Sequence, residues 1–131
     1  MAIRVLWAKQ DQTVIRCDVE GVWTWDEWYA AAQQVVALRS SVHEQVIVPL
    51  IVHVRRSRTY PKNGMTHSKR ALEMLDERDL VVVVGGEPFV RFLLSTFREL
   101  FSKYGERLYM TDTLDQAYAL IAQWRKDSAK L

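Results

Sequence analysis

The residues best suited to chemistry in this 131-residue chain are gathered in one stretch, residues 55–70, RRSRTYPKNGMTHSKR. It carries Arg55, Arg56, Arg58, Lys62, Lys69, Arg70 and His67, and no acid occurs between Glu44 and Glu73. The whole chain has 18 basic and 16 acidic residues, for a net charge of +2. With six of the bases in this one stretch, the remainder of the chain is acidic. A local excess of this kind attracts anionic partners. Three readings compete. Pro61, Asn63 and Gly64 are turn-making residues, so the charges could be the solvated rim of a loop. Several Arg and Lys could contact phosphates, but a nucleic-acid motif and a strongly basic balance are both missing, which weighs against nucleic acid. The third reading, a surface for a partner protein, does not follow from these residues alone.

Other constellations are weaker. Gly85 and Gly86 in VVVVGGEPF follow an apolar run and precede a helix pattern, the place where helix-terminal amides can meet an anion. There is no GxGxxG or GxxxxGK[ST], and Glu87 would put negative charge there, so a tight turn accounts for the pair better. His43, His53 and His67 have no metal-ligand spacing, and one cysteine cannot complete a common zinc set, so neither metal nor cofactor is expected. The carboxylates Asp26/Glu27, Asp76/Glu77/Asp79 and Asp112/Asp115 fall at expected helix ends, where capping and dipole effects suffice for the N-terminal ones. No Ser-His-Asp or Cys-His arrangement stands out, and the expectation is a protein that is not an enzyme.

These residues need a scaffold, and hydrophobic periodicity supplies one. Residues 3–7 and 13–19 read as two short strands around a polar turn. In the second, Ile15, Cys17 and Val19 alternate with Arg16, Asp18 and Glu20, predicting one buried and one wet face. Cys17 then faces the core. Thr24 and Glu27 form a capping box, with Trp23 and Trp28 placed as a hydrophobic staple. Trp25, Trp28, Tyr29, Ala32, Val35 and Val36 follow as a core-facing helical stripe. VIVPLIVHV (46–54) is apolar on both faces, like a central parallel strand, and Pro49 delays the strand proper to about Leu50. A helix over 66–76, a buried strand over 80–84 and a helix over 88–104 ended by Gly105 come next. A strand over 107–110 and a final helix capped by Thr113 and Gln116 complete the chain. The order is β-β-α-β-α-β-α-β-α. It predicts a single α/β domain over 1–131 with a mixed, mostly parallel sheet, the first two strands pairing antiparallel at one side.

Composition agrees with one folded domain: 49% hydrophobic and 26% charged residues. No stretch is apolar for the ~20 residues of a membrane span. The first residues lack the apolar region of a signal peptide. A lone cysteine fits a reducing compartment, so the expectation is a cytoplasmic protein without membrane attachment. A homodimer is compatible with the sequence, though no residue specifies one.

The order of elements over nearly the whole chain resembles the STAS domain, the fold of bacterial anti-sigma-factor antagonists. GVWTWDEWYAA, VVVVGGEPFVRFLLSTF and LYMTDTLDQAYALI are similar to a group of small bacterial STAS-like proteins. The last of these segments is similar to the TLEEA helix that closes many STAS domains. The resemblance implies a regulatory protein-binding module whose partner surface is the loop after the central strand and the start of the next helix. In antagonists, a Ser or Thr there is phosphorylated. The matching hydroxyls here are Thr66 and Ser68, with Ser57 and Thr59 further up the loop. Phosphate would add about −1.5 to −2 charge near a helix start and arginines. The family's Asp-Ser followed by a small residue and Gly is absent; Asn63-Gly64-Met65-Thr66-His67-Ser68 stands in its place. That departure speaks against a kinase switch and leaves a binding surface selecting an acidic partner.

Overall fold

In a computed structural model, residues 3–8, 13–42, 46–56, 62–75, 79–85, 91, 95–99 and 107–129 are described. They form a five-stranded sheet in the order β1-β2-β3-β4-β5. The strands are β1 (Ile3–Trp7), β2 (Ile15–Glu20), β3 (Leu50–Arg55), β4 (Val81–Gly85) and β5 (Leu108–Thr111). The helices are α1 (Trp25–Ser40), α2 (Gly64–Met74) and α3 (Leu114–Ala129). β1 pairs antiparallel with β2, from Ile3 opposite Val19 to Trp7 opposite Ile15. The remaining neighbours pair in parallel, with Ile15 beside Leu50, Leu50 beside Val81 and Val81 beside Leu108. The architecture is the α/β mixed sheet that the alternation of patterns predicts.

The strands advance across the sheet in one direction, so crossovers of one hand place their connecting helices on one face. Ala31 and Val35 of α1 and Phe97 of the helical residues 95–99 share a core with Cys17, Leu50, Val52, Val81 and Val83. Leu72 and Leu75, in and just after α2, pack against the same core. α3 follows the last strand and covers the opposite face, where Ala117 and Ile121 meet Ile51, Val82 and Val84. β3 and β4 are therefore buried on both sides, which is why they read as unbroken apolar runs. β2 alternates as predicted: Ile15, Cys17 and Val19 are buried, whereas Arg16, Asp18 and Glu20 are half-buried or exposed on the α3 side.

The capping box of α1 is present: the Glu27 amide donates to Thr24 Oγ1 at 3.2 Å, and the Thr24 amide donates to Glu27 Oε1 at 3.2 Å. Trp23 and Trp28 meet with centroids 5.3 Å apart, as the staple requires. In the second box, the Gln116 amide donates to Thr113 Oγ1 at 3.2 Å and the Thr113 amide to Gln116 Oε1 at 3.2 Å. Pro49 precedes β3 and contributes only its carbonyl, which accepts from the Ile15 amide at 3.0 Å.

Three expectations are corrected. Val36 is 40% exposed, because one residue beyond Val35 the helix has turned away from the sheet; Ala31 joins the buried stripe in its place. α2 spans 64–74 rather than 66–76, since Asn63 adopts a left-handed conformation (φ 63°) and its carbonyl takes the His67 amide at 3.1 Å. Asp79 is buried at the approach to β4, beyond the end of α2 at Met74, rather than at a helix end. Gly86, Pro88, Gly105 and most of the expected 88–104 helix lie outside the described residues. Among the described residues, no helix is long and apolar enough to cross a membrane.

Candidate functional site

The basic stretch emerges at the carboxyl end of β3, beside that of β4. β3 terminates in Arg55, and Arg56 bends the chain away with φ 52°. Beside it, Val54 pairs with Gly85, the last residue of β4. Gly85 has φ 78°, and a Cβ there would lie 2.8 Å from the Val54 carbonyl oxygen, so both conformation and space demand glycine. The two sequence candidates, the basic loop and the glycine turn, therefore spring from adjacent positions.

Aromatic contacts pin the starts of α1 and α2 side by side. Trp25 packs edge-on against Trp23 and Trp28, with centroids 4.9 and 6.3 Å away. Its indole Nε1 donates to the Lys62 carbonyl at 2.7 Å, and its ring stacks on His67 at 4.8 Å. The Tyr29 hydroxyl and His67 Nδ1 are hydrogen-bonded at 2.6 Å. Trp25 and Tyr29 are one helical turn apart, so both reach His67 from one side of α1. His67 lacks any metal-ligand spacing and is instead the joint between the two helices. Its partners lie 38 positions upstream or more, so nothing local in the sequence marks it.

Arg55, Arg56 and Lys62 are exposed here, and Lys69 and Arg70 are exposed further along α2. Arg58, Ser57 and Thr59 lie outside the described residues. The apparent acid-free surroundings are partly filled by the fold. Glu20, opposite Arg55 in the β2–β3 register, lies 3.3 Å from the Arg55 guanidinium and 3.7 Å from that of Arg56. Lys69 pairs with Glu73 one turn later at 3.6 Å. Lys62 and Arg70 have no acid partner among the described residues. The N-cap of α2, Asn63, offers no side-chain hydrogen bond, leaving the first-turn amides uncapped by it. Of the two hydroxyls, Thr66 is exposed, whereas Ser68 is half-buried and borders a cavity.

That cavity, of about 100 Å³, lies between the sheet and the α1–α2 pair, and its walls include Cys17, Trp23, Trp28, Ala71 and Phe97. Burial pushes the Cys17 thiol up to about 12, with the Asp18 carboxylate adding to the effect. It is an inert core thiol, as its place in the strand alternation implies. A second hollow, of about 650 Å³, opens near the amino ends of the strands beside Arg39 and Asp79. None of Arg55, Arg56, Lys62, Lys69 and Arg70 borders either space.

Two further charged groups went unmarked in the sequence. Asp79 Oδ2 accepts from Arg39 Nε at 2.7 Å, and Oδ1 accepts from the Val48 amide at 3.0 Å. Arg39 also donates to the Val46 carbonyl, and Arg107 donates to the Asp79 carbonyl at 3.0 Å. This is a buried clamp joining α1 to the entries of β3, β4 and β5. On the α3 side of β1–β3, Asp18 lies 2.9 Å from Arg16, 3.4 Å from Arg4 and 3.9 Å from His53 Nδ1. Burial lowers the His53 pKa, and Arg55 and Arg16 lower it further against the opposing pull of Asp18. The ring is therefore neutral near pH 7, and its approach to Asp18 is not an ion pair. Among the described residues, no group of three or more His, Cys, Asp or Glu is placed to hold a metal ion. No protein-family model matches the chain, and no curated protein is significantly similar to it.

Proposed function

We propose that the protein is a non-enzymatic regulatory module of the STAS type that binds an acidic partner protein through its basic end. The observation that carries this reading is the placement of Arg55, Arg56, Lys62, Lys69 and Arg70. All five are exposed and outside both spaces, with Arg55, Arg56 and Lys62 at or beside the carboxyl end of β3 and Lys69 and Arg70 further along α2; among the described residues, Glu20 and Glu73 are the acids against them. The pinned helix starts give these flexible side chains a fixed base. A rigid, positively charged surface attracts an acidic partner from a distance and disfavours a basic one. The single buried thiol accords with a cytoplasmic setting for such a module.

The test is affinity capture of host proteins on the wild type and on the Arg55→Glu/Arg56→Glu/Lys69→Glu variant, each at low and high salt. Acidic proteins should be retained by the wild type alone and released by salt. Recovery of the same proteins on both versions would exclude this surface as the interface.

A second reading, a small anionic ligand such as a nucleotide or phosphate, draws on the uncapped start of α2 beside Lys62 and on the nearby Gly85 turn. Equilibrium dialysis with ATP and with inorganic phosphate separates it from the first: saturable binding abolished by Lys62→Glu favours the small ligand.

A further inference from the structure

The partly open cavity beneath α1 and α2 is harder to account for by packing alone. Protein interiors have few voids larger than a water molecule. At about 100 Å³ this one has room for more than one, since a water's share of liquid volume is about 30 Å³. The space persists because small side chains line its roof. Ala31 and Ala32 of α1 and Ala71 of α2 face the sheet where branched residues would fill the gap. The cavity is also poorly made for water, which needs two to four polar partners. The Trp25 indole N–H is already given to the Lys62 carbonyl, which leaves few polar atoms among the described walls. Among the described residues, no charged side chain lines the walls. A dry apolar void of about 150 Å³ is known to accept benzene or xenon, and this one is of comparable scale.

We infer that the cavity beneath α1 and α2 is a binding site for a compact, uncharged, apolar molecule of about one aromatic ring. Trp23, Trp28 and Phe97 offer ring faces and edges to such a guest, and the Cys17 sulfur offers a polarizable contact. A carboxylate or ammonium group on the guest would lose its hydration without a partner and be rejected. Trp25 and Trp28 are half-buried, so the aromatic wall reaches the surface at the seam between the helices, where a guest can enter. The site stands independently of the basic end and its partner.

The test titrates benzene into the full chain, following the methyl NMR signals of Val52, Val83 and Leu108 together with thermal unfolding. Benzoate is the charged control. Benzene should shift those methyls saturably and raise the midpoint of unfolding with concentration. Benzoate should do neither. Ala31→Leu and Ala71→Leu, which fill the space, should weaken benzene by about tenfold or more. The inference is overturned if the wild type shows no saturable shift at these methyls or if benzoate binds equally well. Benzene affinity unchanged in folded Ala31→Leu or Ala71→Leu would also overturn it. Should both variants fail to fold, the wild-type methyl map decides alone.

Discussion

The two ends of the parallel sheet use charge in opposite ways. At the amino end, one acid and one base are buried together, and both Asp79 carboxylate oxygens accept from Arg39 or the Val48 amide. From the carboxyl end of β3 along α2 run five exposed cations; among the described residues three of them contact Glu20 or Glu73, and Lys62 and Arg70 have no acid partner. A buried charge is tolerated only when paired and hydrogen-bonded, so the first end is committed to architecture. An exposed charge in water costs little to leave unpaired and contributes little to stability, so the second end is free to meet a partner. Number of charges does not separate the two ends; their desolvation does.

Mutations at the two ends should differ accordingly. The largest effect is expected for Asp79→Ala, which leaves the Arg39 guanidinium buried without its counter-charge. A loss of about 3–5 kcal/mol is expected, measured by urea unfolding. Replacing the pair together, as Arg39→Met/Asp79→Leu, should recover much of it; no recovery would mean the clamp acts through something other than charge. Next comes Gly85→Ala at the opposite end. A left-handed backbone and a Cβ 2.8 Å from the Val54 oxygen should together cost about 1–3 kcal/mol, read from the same unfolding curves. A cost near zero would show that β3 and β4 yield at their carboxyl ends.

Charge reversal at Arg55 and Arg56 should change stability by less than about 1 kcal/mol, because their side chains are 57% and 86% exposed. A loss as large as that of Asp79→Ala would erase the contrast between the ends. The smallest effect is titration of His53. Its folded pKa is lowered from 6.5, so its contribution to stability is fully present above that value and is lost as pH falls towards the folded pKa. His53→Gln should flatten the decline in unfolding midpoint below about pH 6.5, the ordinary histidine pKa. An unchanged slope would assign that decline to other groups.

Much of the scaffold was legible locally. The alternation in β2, the doubly apolar runs of β3 and β4 and the two capping boxes depend on neighbours one to four residues away. Periodicity reports such neighbours directly. The start of α2 was misplaced by two residues because a left-handed Asn63, rather than a capping side chain, begins it. The exposed side of Val36 was missed because an apolar residue beside a stripe looks like part of it.

The site was legible only in outline. The sequence by itself determined that a basic segment follows a central strand, that a glycine turn follows the next strand, and that Cys17 faces the core. Tertiary structure alone decided what those features touch. Glu20 reaches Arg55 across a parallel register, His67 joins Tyr29 and Trp25, and Arg39 finds Asp79 forty positions away. Each contact bridges 35 or more residues, and each exists because the crossover topology brings segments far apart in sequence side by side. Hydrophobic period and capping chemistry specify elements. Long-range charge pairing is specified only when the register between those elements is set.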